Sequence, residues 1–339
     1  MNNFKPIVFI IFLFAILFLT NCNRNEPYEA DIVFYNVENL FDTIDDPLKN
    51  DKDFLPDGRN NWNSEKYFHK LENISKVLSS IDSINLPAII GLSEVENIEV
   101  IRDLINTGNL KNGNYKIIHQ ESPDERGIDV ALIYREKYFH PEYQKAIEIA
   151  FPFKKEEKTR DILYVKGNTD GGEILHVFIN HWTSRWGGKE ESEPKRLFTA
   201  SVLKKYSDSI LKNDINANII ILGDLNDNPN NESVFEILKA EQSFKPIKRA
   251  TLNNLLFEKF KKGEGTLFYN GWDMFDQIIV SSNLIEENLI CGEAEIFNPE
   301  WILFKTKEGE FRPNRTQGRQ YYGGYSDHLP VYFSLDFGR

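Results

Sequence analysis

Residues 218–226 read Asn-Ile-Ile-Ile-Leu-Gly-Asp-Leu-Asn, an apolar run that ends in a glycine, a carboxylate and an amide. A short, unbroken aliphatic run is typical of a strand that is buried on both faces. Gly223, Asp224 and Asn226 are residue types that also favour turns. The stretch therefore predicts a core strand, Asn218–Leu222, which ends in polar side chains.

The same arrangement recurs outward from this strand in both directions along the chain. Polar residues stand where apolar runs begin or end, and the ends of core strands are rigid places from which to hold a site. We therefore predict that these side chains converge at one edge of the fold. They are Asn36, Glu94, Asn180, His181, Asp276, Asp327 and His328.

This set of side chains suits phosphate ester hydrolysis. Carboxylate and amide oxygens favour a hard divalent cation, so we expect Mg²⁺ or Mn²⁺ as the cofactor. The reaction needs positive charge on the phosphoryl oxygens, which a metal and cationic imidazoles supply, and an oriented water, which a carboxylate supplies. A His–Asp pair would keep an imidazole charged near neutral pH.

Between these runs the sequence predicts helices and loops. Apolar residues recur every three or four positions from Tyr67 to Ile81, which predicts an amphipathic helix with Ser64 as its cap. A second helix is expected from Pro194 to about Leu211, with the proline in its first turn. Residues 253–272 and 299–326 are predicted to be long loops.

Strands with helices interspersed, and without a regular βαβα rhythm, predict an α+β fold rather than a doubly wound sheet. Buried strands in two sets favour sheet packed on sheet, with helices outside. We expect one domain over residues 31–339. The sequence implies no protein partner, and we expect a monomer.

The N-terminal segment has the character of a targeting sequence. Lys5 precedes an apolar run, Ile7–Leu19, that is shorter than the ~20 residues of a membrane span and suits a signal peptide. Residues 1–22 end in Leu-Thr-Asn-Cys, which resembles a bacterial lipoprotein cleavage box with Cys22 lipidated. Residues 23–30 are polar and are expected to be a tether. The prediction is an exported protein anchored to the cell envelope; an ordinary secretory signal or a short anchor is the alternative.

Charge and cysteine content bear on two further features, a nucleic-acid-binding surface and a disulfide framework. The chain has 339 residues and a formal net charge of −12, so a broad basic surface for nucleic acid is not expected. A bound cation would still provide positive charge where a phosphate sits. Two cysteines, one of them in the leader, exclude a disulfide framework.

Six motifs in order carry a resemblance to a known family. Together they resemble the endonuclease/exonuclease/phosphatase superfamily, over residues 31–336, and the resemblance implies a deoxyribonuclease-I-like, four-layered α/β/β/α sandwich. The motifs are Asn36-Val37-Glu38-Asn39, Gly91-Leu92-Ser93-Glu94-Val95-Glu96, Asn180-His181-Trp182, Gly223-Asp224-Leu225-Asn226, Asp276-Gln277-Ile278-Ile279 and Ser326-Asp327-His328-Leu329-Pro330.

The resemblance also implies roles for single residues. Glu94 would be the main metal ligand, with Asn36 and Asp327. Asp224 would orient or deprotonate the attacking water, and Asn226 would help to hold the water or the phosphate. The remaining catalytic residues implied are His328, which would contact the phosphoryl oxygens, Asp276, which would fix its tautomer, and His181, a second phosphate-facing histidine.

Substrate-binding residues are less sharply defined. Arg160 and Arg185 have the planar fork that grips a phosphate, and Asn180 adjoins His181. Asp129 opens an apolar strand and is a hypothetical partner for His181 or Arg160. A tryptophan near the site loops, Trp182, Trp186 or Trp272, would be able to stack on a base or sugar.

Three functions remain open from the sequence. The leading hypothesis is metal-dependent hydrolysis of a phosphodiester, with nucleic acid as the favoured substrate. The alternative is a phosphatase or phospholipid phosphodiesterase acting on inositol phosphates or sphingomyelin, because one core serves all of these. A non-catalytic surface binding protein is a third hypothesis, against which the intact set of catalytic residues argues.

Overall fold

The computed structural model describes residues 28–242 and 247–338 and contains two large β-sheets. The strands are β1 (Glu29–Leu40), β2 (Ile89–Val95), β3 (Lys116–His119), β4 (Asp129–Tyr134), β5 (Phe139–Ile147), β6 (Ile162–Thr169), β7 (Ile174–His181), β8 (Asn218–Asp224), β9 (Ala240–Glu241), β10 (Leu252–Asn254), β11 (Leu267–Phe268), β12 (Trp272–Asp273), β13 (Asp276–Ser281), β14 (Ile290–Ile296), β15 (Leu303–Lys305), β16 (Phe311–Pro313) and β17 (Val331–Asp336).

The helices are fewer than the strands and lie between them in the chain. The α-helices are α1 (Ser64–Ile81), α2 (Ile98–Ile105), α3 (Lys189–Asn213), α4 (Phe257–Lys261) and α5 (Ser282–Glu286). Short 3₁₀ turns cover Lys52–Phe54, Leu110–Gly113 and Glu300–Ile302, and a π-turn covers Ser233–Ile237. No helix among the described residues is long and apolar enough to cross a membrane.

The two sheets pack face to face with helices outside them. The first sheet has the order β14-β17-β1-β2-β4-β3 and the second β5-β6-β7-β8-β13-β10-β9. Leu71 and Ile74 of α1 are buried in one core with the first sheet, whereas Leu203 of α3 is buried in another core with Phe178 and Ile219 of the second sheet. The expected α+β sandwich is confirmed.

The central strands bring the predicted side chains to one edge. β1 pairs in parallel with β2, and β7 pairs in parallel with β8. Their carboxyl ends therefore point the same way within each sheet. In the second sheet His181 lies opposite Asp224, which also lies opposite Asp276 of the antiparallel strand β13.

Two helix starts differ from the sequence prediction. Asn63, not Ser64, caps α1, because its side-chain oxygen accepts a hydrogen bond from the backbone N–H of Lys66. Helix α3 begins at Lys189, so Pro194 lies inside it rather than in its first turn. Glu190 and Glu191 near its start are favoured by the helix dipole, which helps it to begin ahead of the proline.

Some strands give only a weak apolar signal in the sequence. β5 and β14 form edges of the two sheets and carry mostly exposed or half-buried side chains, so neither was predicted. The segments 253–272 and 299–326, predicted to be loops, contain α4 and several two- or three-residue strands. The predicted leader, Cys22 and most of the tether lie outside the described residues.

Candidate functional site

An amide lies at the centre of the site and touches two carboxylates. Asn36 Nδ2 is 3.1 Å from Glu94 Oε1 and 3.0 Å from Asp224 Oδ2, and donates a hydrogen bond to each. Its oxygen accepts a hydrogen bond from the backbone N–H of Glu38. Asn36 has no exposed surface, so this bridge between the two sheets is fixed.

Left-handed backbone positions aim the polar groups inward. Glu38, Asn39, Glu94 and Asn226 have φ angles of 51°, 54°, 62° and 49°. This conformation costs a residue other than glycine free energy, and it tends to be retained at functional sites. It directs the backbone N–H of Asn39 to Glu94 Oε2 at 2.9 Å and that of Asn226 to Asp224 Oδ1 at 2.9 Å. Both carboxylates are therefore held by backbone donors.

His181 faces both carboxylates from the end of β7. Its Nε2 lies 3.7 Å from Glu94 Oε1 and 3.6 Å from Asp224 Oδ2. Burial, with Arg160 and Arg126 nearby, lowers the pKa of His181 well below its ordinary value. The imidazole is therefore neutral near pH 7, in contrast to the expected cation. A neutral imidazole can still accept a proton or bind a metal.

His328 has the opposite electrostatic character. Its Nδ1 lies 2.7 Å from Asp276 Oδ2, so the predicted partnership is present. Burial opposes the charge, but the carboxylates of Asp276 and Asp224 outweigh it and raise the pKa of His328 well above its ordinary value. His328 Nε2 lies 3.8 Å from Asp224 Oδ2. The site thus holds one neutral and one cationic imidazole on either side of Asp224.

The donor set fits a divalent cation. Glu94, His181 and Asp224 each offer one ligand atom, and these atoms lie within 4.8 Å of one another. Burial raises the pKa of Asp224 to about 7, and the Asp276 and Glu94 carboxylates add to the rise while His328 opposes it. Crowded negative charge of this kind is relieved by a cation, and the carboxylate oxygens suit a divalent one.

Asp327, the third expected metal ligand, lies beside an arginine. Its Oδ2 accepts a hydrogen bond from Arg315 Nη2 at 3.0 Å, and Asp327 belongs to none of the three possible ligand groups found among the described residues. Arg315 also contacts Glu38, whose carboxylate is buried. Burial raises the pKa of Glu38 to about 7, with Asp327 adding to the rise and Lys70 and Arg315 opposing it.

Sequence reasoning overlooked Glu38 and Arg315. Glu38 lies within the first motif, but its neighbours Asn36 and Asn39 drew attention to amides. Its position inside an apolar strand was the available signal, because an unpaired buried carboxylate is costly and requires a partner. The partner stands 277 positions away in the sequence.

The three residues predicted to bind substrate are held by protein groups. Arg160 donates to Asp124 Oδ2 and to the carbonyl of Trp182, and 5% of it is exposed. Arg185 Nε donates to the carbonyl of Asn226 at 2.8 Å, and its Nη2 bonds Asp227 and Asn231. Asn180 is fully buried between Leu222 O and the indole N–H of Trp182. All three support backbone next to His181 and Asp224, at the ends of β7 and β8.

The prediction that Asp129 pairs with His181 or Arg160 is wrong. Asp129 lies 3.2 Å from His119 Nε2 and accepts a hydrogen bond from the backbone N–H of Ser122, because β3 and β4 are neighbours in the first sheet. Of the tryptophans, Trp182 is buried, Trp272 is half-buried and Trp186 is 93% exposed.

Known structures share this architecture. A Bacteroides thetaiotaomicron endonuclease/exonuclease/phosphatase family protein superimposes with a TM-score of 0.56 at 15% identity over 91% of this chain and 98% of its own. Truncated TDP2 from Caenorhabditis elegans superimposes with a TM-score of 0.54 at 14% identity, over 91% of this chain and 98% of its own. A mannosyl-6-phosphatase from B. thetaiotaomicron superimposes with a TM-score of 0.55 at 15% identity, over 90% of this chain and 98% of its own. At these identities the likeness shows the fold alone.

Comparison at the level of sequence gives the family. No curated protein sequence matches the chain significantly. The model of the Endonuclease/Exonuclease/phosphatase family matches residues 31–336, which covers all but the first two residues of the two sheets and every site residue described above. The chain therefore belongs to the endonuclease/exonuclease/phosphatase family.

Proposed function

We propose that the protein is a divalent-metal-dependent phosphodiesterase with nucleic acid as its favoured substrate. Members of its family hydrolyse phosphate esters. The observation that carries the proposal is Asp224, which lies between a neutral and a cationic imidazole and is bridged to Glu94 by Asn36. That arrangement provides a carboxylate for the water and a fixed positive charge for the phosphate.

Each residue has a distinct task in the proposed reaction. Asp224, with Asn226, orients the attacking water and accepts its proton. His328, held by Asp276, donates hydrogen bonds to the phosphoryl oxygens where negative charge develops. A cation held by Glu94, with His181 and Asp224 alongside, would supply further charge neutralisation.

A phosphatase acting on a small phosphomonoester is the second candidate. It is favoured by the mannosyl-6-phosphatase, whose structure resembles this chain as closely as those of the other relatives do. A phospholipid phosphodiesterase uses the same chemistry. A binding protein without catalysis is disfavoured, because the carboxylates, amides and imidazoles are all present and brought together.

Hydrolysis of a substrate panel tests these alternatives. The purified protein is assayed with Mg²⁺, Mn²⁺, Ca²⁺ or EDTA on DNA, RNA, bis-p-nitrophenyl phosphate, p-nitrophenyl phosphate, sphingomyelin and inositol phosphates. Metal-dependent cleavage of DNA or RNA that is lost in Asp224→Asn supports the nuclease. Cleavage confined to monoesters or lipids supports the alternatives, and a folded, metal-binding protein without turnover rejects catalysis.

We also propose that Cys22 is lipidated and anchors the protein to the bacterial envelope. The proposal rests on the cleavage box and on the polar stretch 23–30 that follows it. Labelled palmitate should be incorporated into the wild-type protein in cells and not into Cys22→Ser. Cys291→Ser is the matched control and should label normally; equal labelling of Cys22→Ser would contradict the anchor.

A further inference from the structure

Arg315 lies at the edge of the site and is held by a buried carboxylate. Its Nε and Nη2 both lie 3.1 Å from Glu38 Oε1, and its Nη2 also donates to Asp327 Oδ2 at 3.0 Å. Asp327 immediately precedes His328 in the chain. The guanidinium therefore contacts the residue that precedes the imidazole used in the proposed reaction.

Glu38 is well fixed for this purpose. Its side chain is 2% exposed, and it accepts hydrogen bonds from the backbone N–H groups of Thr316 and Gln317 at 2.6 and 3.2 Å. Lys70, itself buried, donates to Thr316 Oγ1 at 2.8 Å. A buried charge is stabilised only by partners of this kind, so one edge of the guanidinium is tied to a rigid base.

The other edge of the guanidinium is available. The side chain of Arg315 is 46% exposed, and no described residue accepts a hydrogen bond from Nη1. Arg160 and Arg185, by contrast, are 5% and 20% exposed at the side chain and bond protein groups. An arginine oriented by a carboxylate on one edge and open on the other is suited to bind a phosphate oxygen.

We propose that Arg315 is a phosphate-binding residue of this site, contacting a non-bridging oxygen of the substrate through Nη1, and that Glu38 is the residue that positions it. This rests on the proposed function for the identity of the substrate, a phosphate ester. The charges near Arg315 are balanced without a ligand, since Lys70 and Arg315 face Glu38 and Asp327. A cation held by the carboxylates of the site would offset their negative charge and so favour binding of an anion beside it.

Binding of inorganic phosphate tests the proposal without any turnover. The full chain is titrated with inorganic phosphate by calorimetry in the presence of Mg²⁺. Arg315→Ala is expected to weaken binding by ~10–100-fold, the loss of one charge-assisted contact. Arg315→Lys should recover part of it, because the charge remains while the planar fork is lost. Arg312→Ala, which removes the guanidinium of the exposed Arg312–Glu310 pair on the same segment, should bind as the wild type does.

A double-mutant cycle tests the positioning role. Glu38→Gln should weaken phosphate binding by roughly 3–10-fold in the wild type and have no further effect in Arg315→Ala, because it acts only through the arginine. Arg315 is half-exposed, so its variants remain informative even if Glu38→Gln does not fold. Equal losses in both backgrounds would assign Glu38 a purely structural role and overturn the positioning claim.

The outcomes separate this inference from the proposed function. A wild-type protein that does not bind phosphate, or an Arg315→Ala protein that binds it normally, overturns the assignment of Arg315. Phosphate binding that depends on Arg315 in a protein that cleaves nothing in the substrate panel supports the anion site while the proposed function fails. Cleavage that is unchanged in Arg315→Ala, together with unchanged phosphate binding, removes the inference and leaves the proposed function in place.

Discussion

Single residues in this site are made effective by their partners rather than by their own chemistry. Asp276 and Asp224 favour the charged form of His328, whereas burial and two nearby arginines favour the neutral form of His181. Two imidazoles of identical chemistry thus differ in charge at one pH. The charged imidazole of His328 can stabilise negative charge, and the neutral imidazole of His181 can accept a proton or bind a metal. Phosphate ester hydrolysis uses groups of both kinds.

The contact between Asp276 and His328 yields a test at this scale. Asp276→Asn is expected to lower kcat by on the order of 100-fold, with little change in KM, because His328 loses the carboxylate that holds it charged and oriented. Steady-state kinetics on whichever panel substrate the wild type cleaves measures this. In a His328→Gln background the same change should cost almost nothing further, and a full additional loss would show that Asp276 does not act through His328.

Among the elements, β1 carries the most of the site. It is one of the two central strands of the first sheet, and beyond Asn36 its backbone turns through two left-handed residues that place Glu38 and Asn39. A bulge at Glu94 does the same for β2, where the register shifts between Ser93 and Val95. Irregular ends on otherwise regular strands allow carboxylates to face the site from a rigid frame.

The capping residue of α1 can be identified by mutation. Asn63→Ala should lower the free energy of unfolding by ~1 kcal/mol, because the N–H of Lys66 loses its acceptor. Ser64→Ala should change the free energy of unfolding by no more than about 0.3 kcal/mol, because Ser64 does not cap the helix. Chemical denaturation of the two variants measures the difference; a larger effect at Ser64 would restore the cap expected from the sequence.

At the other end of β1, Asp31 gives a pH-dependent effect on stability. Burial raises the pKa of Asp31 to about 6 from 3.8, although a hydrogen bond from Ser334 opposes the rise. The folded protein therefore binds more protons than the unfolded one between these values, and this group destabilises the fold as pH rises through that window. Asp31→Asn keeps an acceptor for Ser334 and should match the wild type at pH 4.

Above pH 6 the Asp31→Asn protein should be the more stable, by about 1 kcal/mol once solvent screening is allowed for. Thermal or denaturant unfolding across pH 4–8 measures this difference. Glu293→Gln removes an exposed carboxylate on β14 and serves as the control for net charge. A stability difference between Asp31→Asn and wild type that does not vary with pH would contradict the explanation.

The whole molecule depends on how closely its two sheets approach. Gly91 of β2 faces Ile179 of β7 across the sandwich, and a Cβ atom at Gly91 would lie 2.8 Å from Ile179 Cδ1 and 3.2 Å from Phe34 Cδ2. The site draws Asn36 and Glu94 from one sheet and Asp224 and His181 from the other. Its geometry therefore requires this close packing.

Enlarging Gly91 tests the packing directly. Gly91→Ala should lower the free energy of unfolding by about 1–3 kcal/mol, because the interior has no room for the methyl group without displacement of Ile179 or Phe34. Adding Ile179→Val removes the nearest atom and should restore part of the loss. Denaturant unfolding of the single and double variants measures both effects, and an unaltered Gly91→Ala protein would show that the sheets are less tightly packed than described.

The local pattern of apolar and polar residues in the sequence determined the core strands, the fold class and most of the site residues of this protein. Apolar runs that end in carboxylates, amides and histidines predicted the core strands, the α+β class and the residues Asn36, Glu94, His181, Asp224, Asp276 and His328 that the structure brings together. These features depend on neighbours within one strand. They are therefore readable from a single segment of chain.

Only the tertiary structure decided which of these groups meet. Glu38 pairs with Arg315 across 277 positions, Asp129 pairs with His119 rather than with His181, and Arg160 is buried against Asp124. The charge of each imidazole likewise depends on burial and on the carboxylates and arginines that the fold places beside it. Such contacts depend on which strands and loops the fold brings together, and burial there removes the water that would otherwise screen and solvate each charge.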